Sequence, residues 1–218
     1  MGDFWEDSTT CPLCGKAFNF TKIKYDSIRI EKYEDDLKPI FKGPNPLNFS
    51  ILTCPKCGFT YFSEDSDVLR KTSKETKKEL KNYLKRTRDK LGKISNSKDK
   101  SIDFLKKQYA LAGIVYRILN RPGNVAKSLI RLAWVFRDEN KTMEELKLLI
   151  SAVNILEDNF KDLNSDEELI LYYFFKGYTN LRIGKKKEAK EFFNKLIGRY
   201  KKSRNPYVKK AEFLKGDI

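Results

Sequence analysis

"CPLCG" at 11–15 has a near copy, "CPKCG", at 54–58, and the two hold every cysteine of a 218-residue chain that contains no histidine. In each motif the proline fixes one backbone angle. The glycine permits a tight turn that aims backbone N–H groups at sulfur. Each turn offers two thiolates, and two turns make a four-sulfur set. A tetrahedral Zn²⁺ takes such a set, with iron as the alternative. A redox pair needs only one C-x-x-C, set between a strand and a helix. Disulfides are out of place in a reducing compartment. The spacing therefore predicts one structural Zn²⁺ held by Cys11, Cys14, Cys54 and Cys57. Four protein ligands leave no open position, which a catalytic zinc keeps. The 39 residues between Cys14 and Cys54 exceed those of a compact finger, but closure entropy grows only logarithmically with loop length.

Hydrophobic residues make up 40% of the chain and aromatics 13%, enough for a packed core. No apolar run approaches the ~20 residues of a membrane helix. The start, "MGDFWEDSTT", is acidic, without the apolar stretch of a secretory signal or the pattern for acylation. These features predict a cytoplasmic protein with no membrane partner.

The expected fold class is α+β, mainly α. A small β-rich, zinc-ribbon-like module is followed by a tetratricopeptide-like stack of α-helical hairpins. The expected division is 1–66 for the cysteine module, 67–100 for a basic helical linker and 101–218 for the helical domain. Within 1–66, "KAFNFTKIKY" (16–25), "SIRIEKY" (27–33) and "NFSILT" (48–53) read as strands. "EDD" (34–36) reads as a turn, with Arg29 a candidate partner for one of its carboxylates.

Charge changes sign after the module. Residues 1–66 hold eight Lys/Arg against ten Asp/Glu, whereas 70–93 hold eleven against three. Leu80, Tyr83, Leu84, Thr87, Leu91 and Ile94 recur at helical spacing there, with Ser66 or Asp67 as the cap. Further on, Pro122 suits a first helical turn. Met143, Leu146, Ile150, Val153, Leu156 and Phe160 form one apolar face. Ser165 and Glu168 have capping-box spacing. The stretch 173–200 resembles a tetratricopeptide repeat, with Gly177 at a close helix crossing, Gly184 at the turn, and Ala189, Phe193 and Leu196 in the second helix. Looser copies centre on Ala133, Phe136, Leu149 and Ala152, and on Gly113 and Tyr116. An ordinary helical bundle would use the same patterns.

Together these parts resemble a bacterial family of undetermined function in which a twin CPxCG metal module precedes tetratricopeptide-like helices. The resemblance rests on "CPLCGKAF" (11–18), "NPLNFSILTCPKCGF" (45–59) and "RLAWVFRDEN" (131–140). Arg29 and Asp36 fall where the family pattern has an arginine and an aspartate. Phe49 stands where a tyrosine is expected. The resemblance implies the architecture and supplies no activity.

Without histidine the commonest general base is missing, and no Walker A, GxGxxG or GxSxG motif is present. No enzyme is expected. Binding is the stronger class, since helical-hairpin stacks form concave surfaces for peptides. Tyr173, Lys176 and Asn180, with Lys185, Lys186 and Lys187, are the candidate contacts. The formal net charge of +15 suits an acidic protein or peptide partner, or else nucleic acid. Nucleic acid is placed second, because the cysteine module is acidic and its knuckles carry no basic helix of their own.

Overall fold

Both cysteine motifs form the tips of β-hairpins in the computed structural model, which describes residues 2–218. Strands β1 (Phe4–Thr10) and β2 (Ala17–Ile23) pair antiparallel from Phe4↔Ile23 to Thr10↔Ala17, with the first motif as the turn. β3 (Ile30–Tyr33) pairs with β4 (Pro39–Phe41). β5 (Ile51–Thr53) pairs with β6 (Thr60–Phe62), Thr53 opposite Thr60, with the second motif as the turn. In both turns the glycine is left-handed, Gly15 at φ 72° and Gly58 at φ 76°. Each glycine N–H donates 2.9 Å to the carbonyl of its motif's first cysteine.

Helices follow: α1 (Lys74–Thr87), continued by a 3-10 turn (Arg88–Leu91), α2 (Ile102–Ile118), α3 (Pro122–Asp138), α4 (Thr142–Asp158), α5 (Asp166–Arg182), α6 (Lys186–Tyr200) and α7 (Pro206–Gly216). The chain is thus α+β and mainly α, with small antiparallel strand pairs. Pro122 opens α3. Ser165 caps α5, accepting from Glu168 N, while the Glu168 carboxylate accepts from Asn164 N, 3.0 Å away.

The expected cap at Ser66 or Asp67 is corrected to Ser73, whose hydroxyl accepts from Thr76 N. The residues in between form irregular turns that bury Val68 and Leu69. The buried face of α4 is also shifted. Met143 is exposed, and Glu145, Leu149, Ala152, Val153 and Leu156 are buried.

Contacts divide the chain into two compact units, and not at residues 66 and 100. The first comprises the residues up to Arg29 and Phe41–Leu132; the second comprises Ile30–Ile40 and Ala133–Ile218. The cysteine hairpins share their unit with α1 and α2, and α2 and the segment before it are bonded to the chain around the second motif. Tyr116 Oη accepts from Phe62 N (3.0 Å) and donates to Asp65 Oδ2 (2.9 Å). Tyr109 Oη donates 2.6 Å to Leu47 O, and Lys100 Nζ donates 2.7 Å to Asn48 O. Asn96 acts as a further strand partner: its side chain accepts from Thr53 N (3.0 Å) and donates to Thr53 O (2.9 Å).

In the second unit, Gly177 of α5 sits against Phe193 of α6. A Cβ placed on Gly177 would lie 2.6 Å from the phenyl ring. Gly184, at φ 79°, ends the α5 stretch, and Lys185 N donates 2.9 Å back to Asn180 O. Tyr172, Phe174, Phe175 and Tyr178 are buried in this core.

Candidate metal centre and its surroundings

The two hairpin tips bring all four thiols together. Cys11 Sγ lies 3.7 Å from Cys57 Sγ, and Cys14 Sγ lies 3.6 Å from Cys54 Sγ. All four sulfurs fall within 4.8 Å of one another. Zn–S bonds of ~2.3 Å in a tetrahedron require sulfurs about 3.8 Å apart. Each close pair takes one cysteine from each motif, so the set is shared by both hairpins. The first cysteine of each motif is buried and the second is half-exposed.

The electrostatics also fit a cation. Hydrogen bonds from Cys11 and Cys57, then the backbone N–H groups of Cys57 and Lys56, hold the Cys54 thiol far below its ordinary pKa. The Cys11 thiol is pushed up, chiefly by its bond to Cys54. Cys57 is pushed up by its bonds to Cys11 and Cys54. The Cys54 thiolate is therefore favoured at the expense of Cys11 and Cys57. Ionising all four requires a positive ion at the centre, and the donor set suits a soft divalent metal.

Beside the cysteines lies a pocket of about 370 Å³, lined by Leu13, Cys14, Lys56 and Cys57 of the motifs and by Lys81, Leu84, Lys85, Arg88 and Asp89 beyond them. Positions 81, 84, 85 and 88 follow helical spacing, so α1 and its 3-10 extension present one face. The expectation that the knuckles lack a basic helix is therefore corrected, because sequence separation hid the packing of α1. Arg88 is fixed in place, donating to Pro55 O at 3.0 and 3.3 Å and to Gly92 O at 3.3 Å. Among the described residues no ion pair engages Lys56, Lys81 or Lys85.

Of the six candidate partner contacts, Tyr173, Lys176 and Asn180 share one half-buried face of α5. The Tyr173 ring packs 5.2 Å from Tyr172 and 6.2 Å from Phe160. Lys176 Nζ bonds Glu157 at 2.8 Å. Lys185, Lys186 and Lys187 are exposed at the α5–α6 turn.

A second constellation escaped the sequence reading. Asp36 is fully buried in the second unit and accepts from Trp134 Nε1 at 2.7 Å. Arg137 bonds both Asp36 oxygens, at 2.9 and 2.6 Å, and also binds Glu34 and Glu145. Arg182 closes the chain of charges onto Glu145 at 3.0 Å and onto Tyr178 Oη at 3.0 Å. Burial opposes the Arg137 charge, but the bond to Asp36 and its charge prevail and raise the Arg137 pKa above its ordinary value. The cation for Asp36 is thus Arg137 and not Arg29, while Asp35 pairs with Lys210 at 2.8 Å. The available signal was Trp134 and Arg137, three residues apart and so on one helical face, within a family motif. The network lines a cleft of about 440 Å³. Every nitrogen of Arg137 donates within the network, so the charges are satisfied internally.

The family model described as "Uncharacterized protein conserved in bacteria (DUF2225)" matches residues 4–212. An "Uncharacterized protein" of Borreliella burgdorferi is 30% identical over 151 residues, 63% of this chain and 54% of the relative. The match thus spans about half the length of that relative. No solved structure matches the chain. No helix among the described residues is long and apolar enough to cross a membrane.

Proposed function

We propose that this chain, which belongs to the DUF2225 family of uncharacterized proteins conserved in bacteria, is a zinc-stabilised interaction scaffold without catalytic activity. The observation that carries this reading is the closed donor set. Four cysteine sulfurs lie within 4.8 Å of one another, which fills the coordination shell of one Zn²⁺. No ligand position remains for activating water, so the ion's work is to clasp two hairpin tips. A reducing compartment, the cytoplasm, keeps the thiols available.

On this reading the helices of the second unit are tetratricopeptide-like, supported by the close approach of Gly177 to Phe193. Tyr173, Lys176 and Asn180, with Lys185, Lys186 and Lys187, contact a protein or peptide partner. The net charge of +15 favours an acidic one.

Nucleic-acid binding is the second reading, and one observation favours it: the basic face of α1 lines a pocket with both knuckles. Affinity purification from the native host, split into nuclease-treated and untreated halves, tests the two. Protein partners that survive nuclease support the scaffold. Tight, sequence-selective binding to RNA or DNA that persists as salt is raised reverses the order, because incidental binding has dissociation constants of only ~10⁻⁴–10⁻⁶ M at physiological salt.

A further inference from the structure

We infer that the pocket between the cysteine knuckles and α1 is a peptide-docking site, and that its occupant is an acidic segment carrying one apolar anchor side chain. The inference rests on the scaffold reading and names its partner class and its place.

Three features of the pocket lead there. Its base is apolar, formed by Leu13 of the first knuckle, Leu84 of α1 and the aliphatic stems of the surrounding lysines. Its volume of about 370 Å³ accommodates a Leu, Met or Phe side chain with some flanking backbone. Its rim is cationic, with Lys56, Lys81 and Lys85 free of ion pairs among the described residues and Arg88 anchored by backbone carbonyls. Four cations against Asp89 leave an excess of three positive charges. A four-thiolate site holding a divalent ion carries a charge of −2, so the rim does more than balance its own metal centre. Lys78 and Arg86 add to the field along the same helix.

The chemistry separates the two classes of anionic partner. Single-stranded nucleic acid is held by stacking its bases on aromatic rings. No aromatic side chain lines this pocket. The arrangement of an apolar slot inside a ring of cations instead matches an interface in which a buried anchor supplies affinity and peripheral charges supply orientation and rate. The anchor would enter beside Cys14 and Cys57, the two half-exposed ligands, so binding would also shield the metal centre from solvent.

The test uses the full-length, metal-loaded chain and fluorescence polarisation. The probes are labelled acidic peptides with a single central Leu, Met or Phe, the same peptides with central Ser, and an oligouridylate of equal charge. The anchored peptides should bind, and central Ser should weaken binding by roughly ten- to a hundredfold, the worth of one buried apolar side chain. K81E/K85E, two exposed positions on α1, should abolish binding while leaving metal content and circular dichroism unchanged. Equal binding of Leu and Ser peptides would reduce the site to charge alone and overturn the proposal. So would an oligouridylate that outcompetes the peptides and is lost in K81E/K85E, which would make the occupant nucleic acid. No binding by any probe also overturns it. Failure of the scaffold reading is seen separately: nuclease-resistant protein partners retained by K81E/K85E keep the scaffold and move its site elsewhere, whereas no such partner of the wild-type chain removes the scaffold itself.

Discussion

Trp134 donates its indole N–H to Asp36 across 2.7 Å, joining a fully buried carboxylate to a helix 98 residues further along the chain. The same carboxylate holds Arg137, so removing it strands a largely buried guanidinium with fewer partners. Asp36→Ala should destabilise the second unit by about 3–5 kcal/mol, the usual cost of breaking a buried charge pair. Asp36→Asn should cost less, because its amide oxygen still accepts from Trp134. Urea unfolding followed by the emission of buried Trp134 reads both. Equal midpoints for wild type and Asp36→Ala would show that the network carries no stability.

Metal should be bound at about one ion per chain, with zinc the expected element. Cys54→Ser should release it, since it removes one of the four sulfurs that meet at the centre. The loss should be felt beyond the hairpins, because Tyr109 and Tyr116 tie α2 to the segment that carries the second knuckle. Elemental analysis and amide exchange check this together. Metal-free protein with unchanged protection in α2 would contradict the bonding described.

Gly177→Leu should overpack the α5–α6 contact and cost about 1–3 kcal/mol. Gly177→Ala is the sharper case. Its Cβ would meet the Phe193 ring at 2.6 Å, against an intrinsic helical gain of ~1 kcal/mol. Adding Phe193→Leu to Gly177→Ala should recover part of the loss. Additive effects in the thermal melts of the cycle would place the clash elsewhere.

Lys100 should make stability pH-dependent. Burial lowers its pKa from 10.5 to about 7. Between those values the unfolded chain holds a proton that the folded chain lacks. Stability from this group is therefore fully present above 10.5, and it is lost as pH falls through 7. The metal-loaded wild type should gain stability between pH 7 and 9 relative to Lys100→Met. Parallel pH profiles of the two melting temperatures would remove the assignment.

The four-cysteine cluster was legible in the sequence because its determinants are local: a proline and a glycine set each turn, and the two turns hold every cysteine of the chain. The helices were legible for the same reason, down to Ser165 and Pro122. Strand β1 was not, because "FWEDSTT" is mostly exposed and is defined by pairing with β2 and not by apolar alternation. Glu145 was not, because a carboxylate is buried only where distant cations meet it, and Arg137 and Arg182 arrive from two other helices. The division of the chain was hidden too, since charge and composition changed near residue 66 while the bonds of Tyr109, Tyr116 and Lys100 cross that point.

The placement of Ile30–Ile40 with Ala133–Ile218 has a consequence for biosynthesis. The strip that carries Asp36 leaves the ribosome well before the helix that supplies Trp134 and Arg137. Both knuckles are complete by residue 58, yet the loop joining them must wait until translation has passed Arg137 before its buried acid finds a cation. A nascent chain stalled in that interval would expose Asp36 to water and to chaperones. No single cut separates the two units: cutting after residue 132 deprives the strip of its helices, and starting at 133 deprives the helices of the strip.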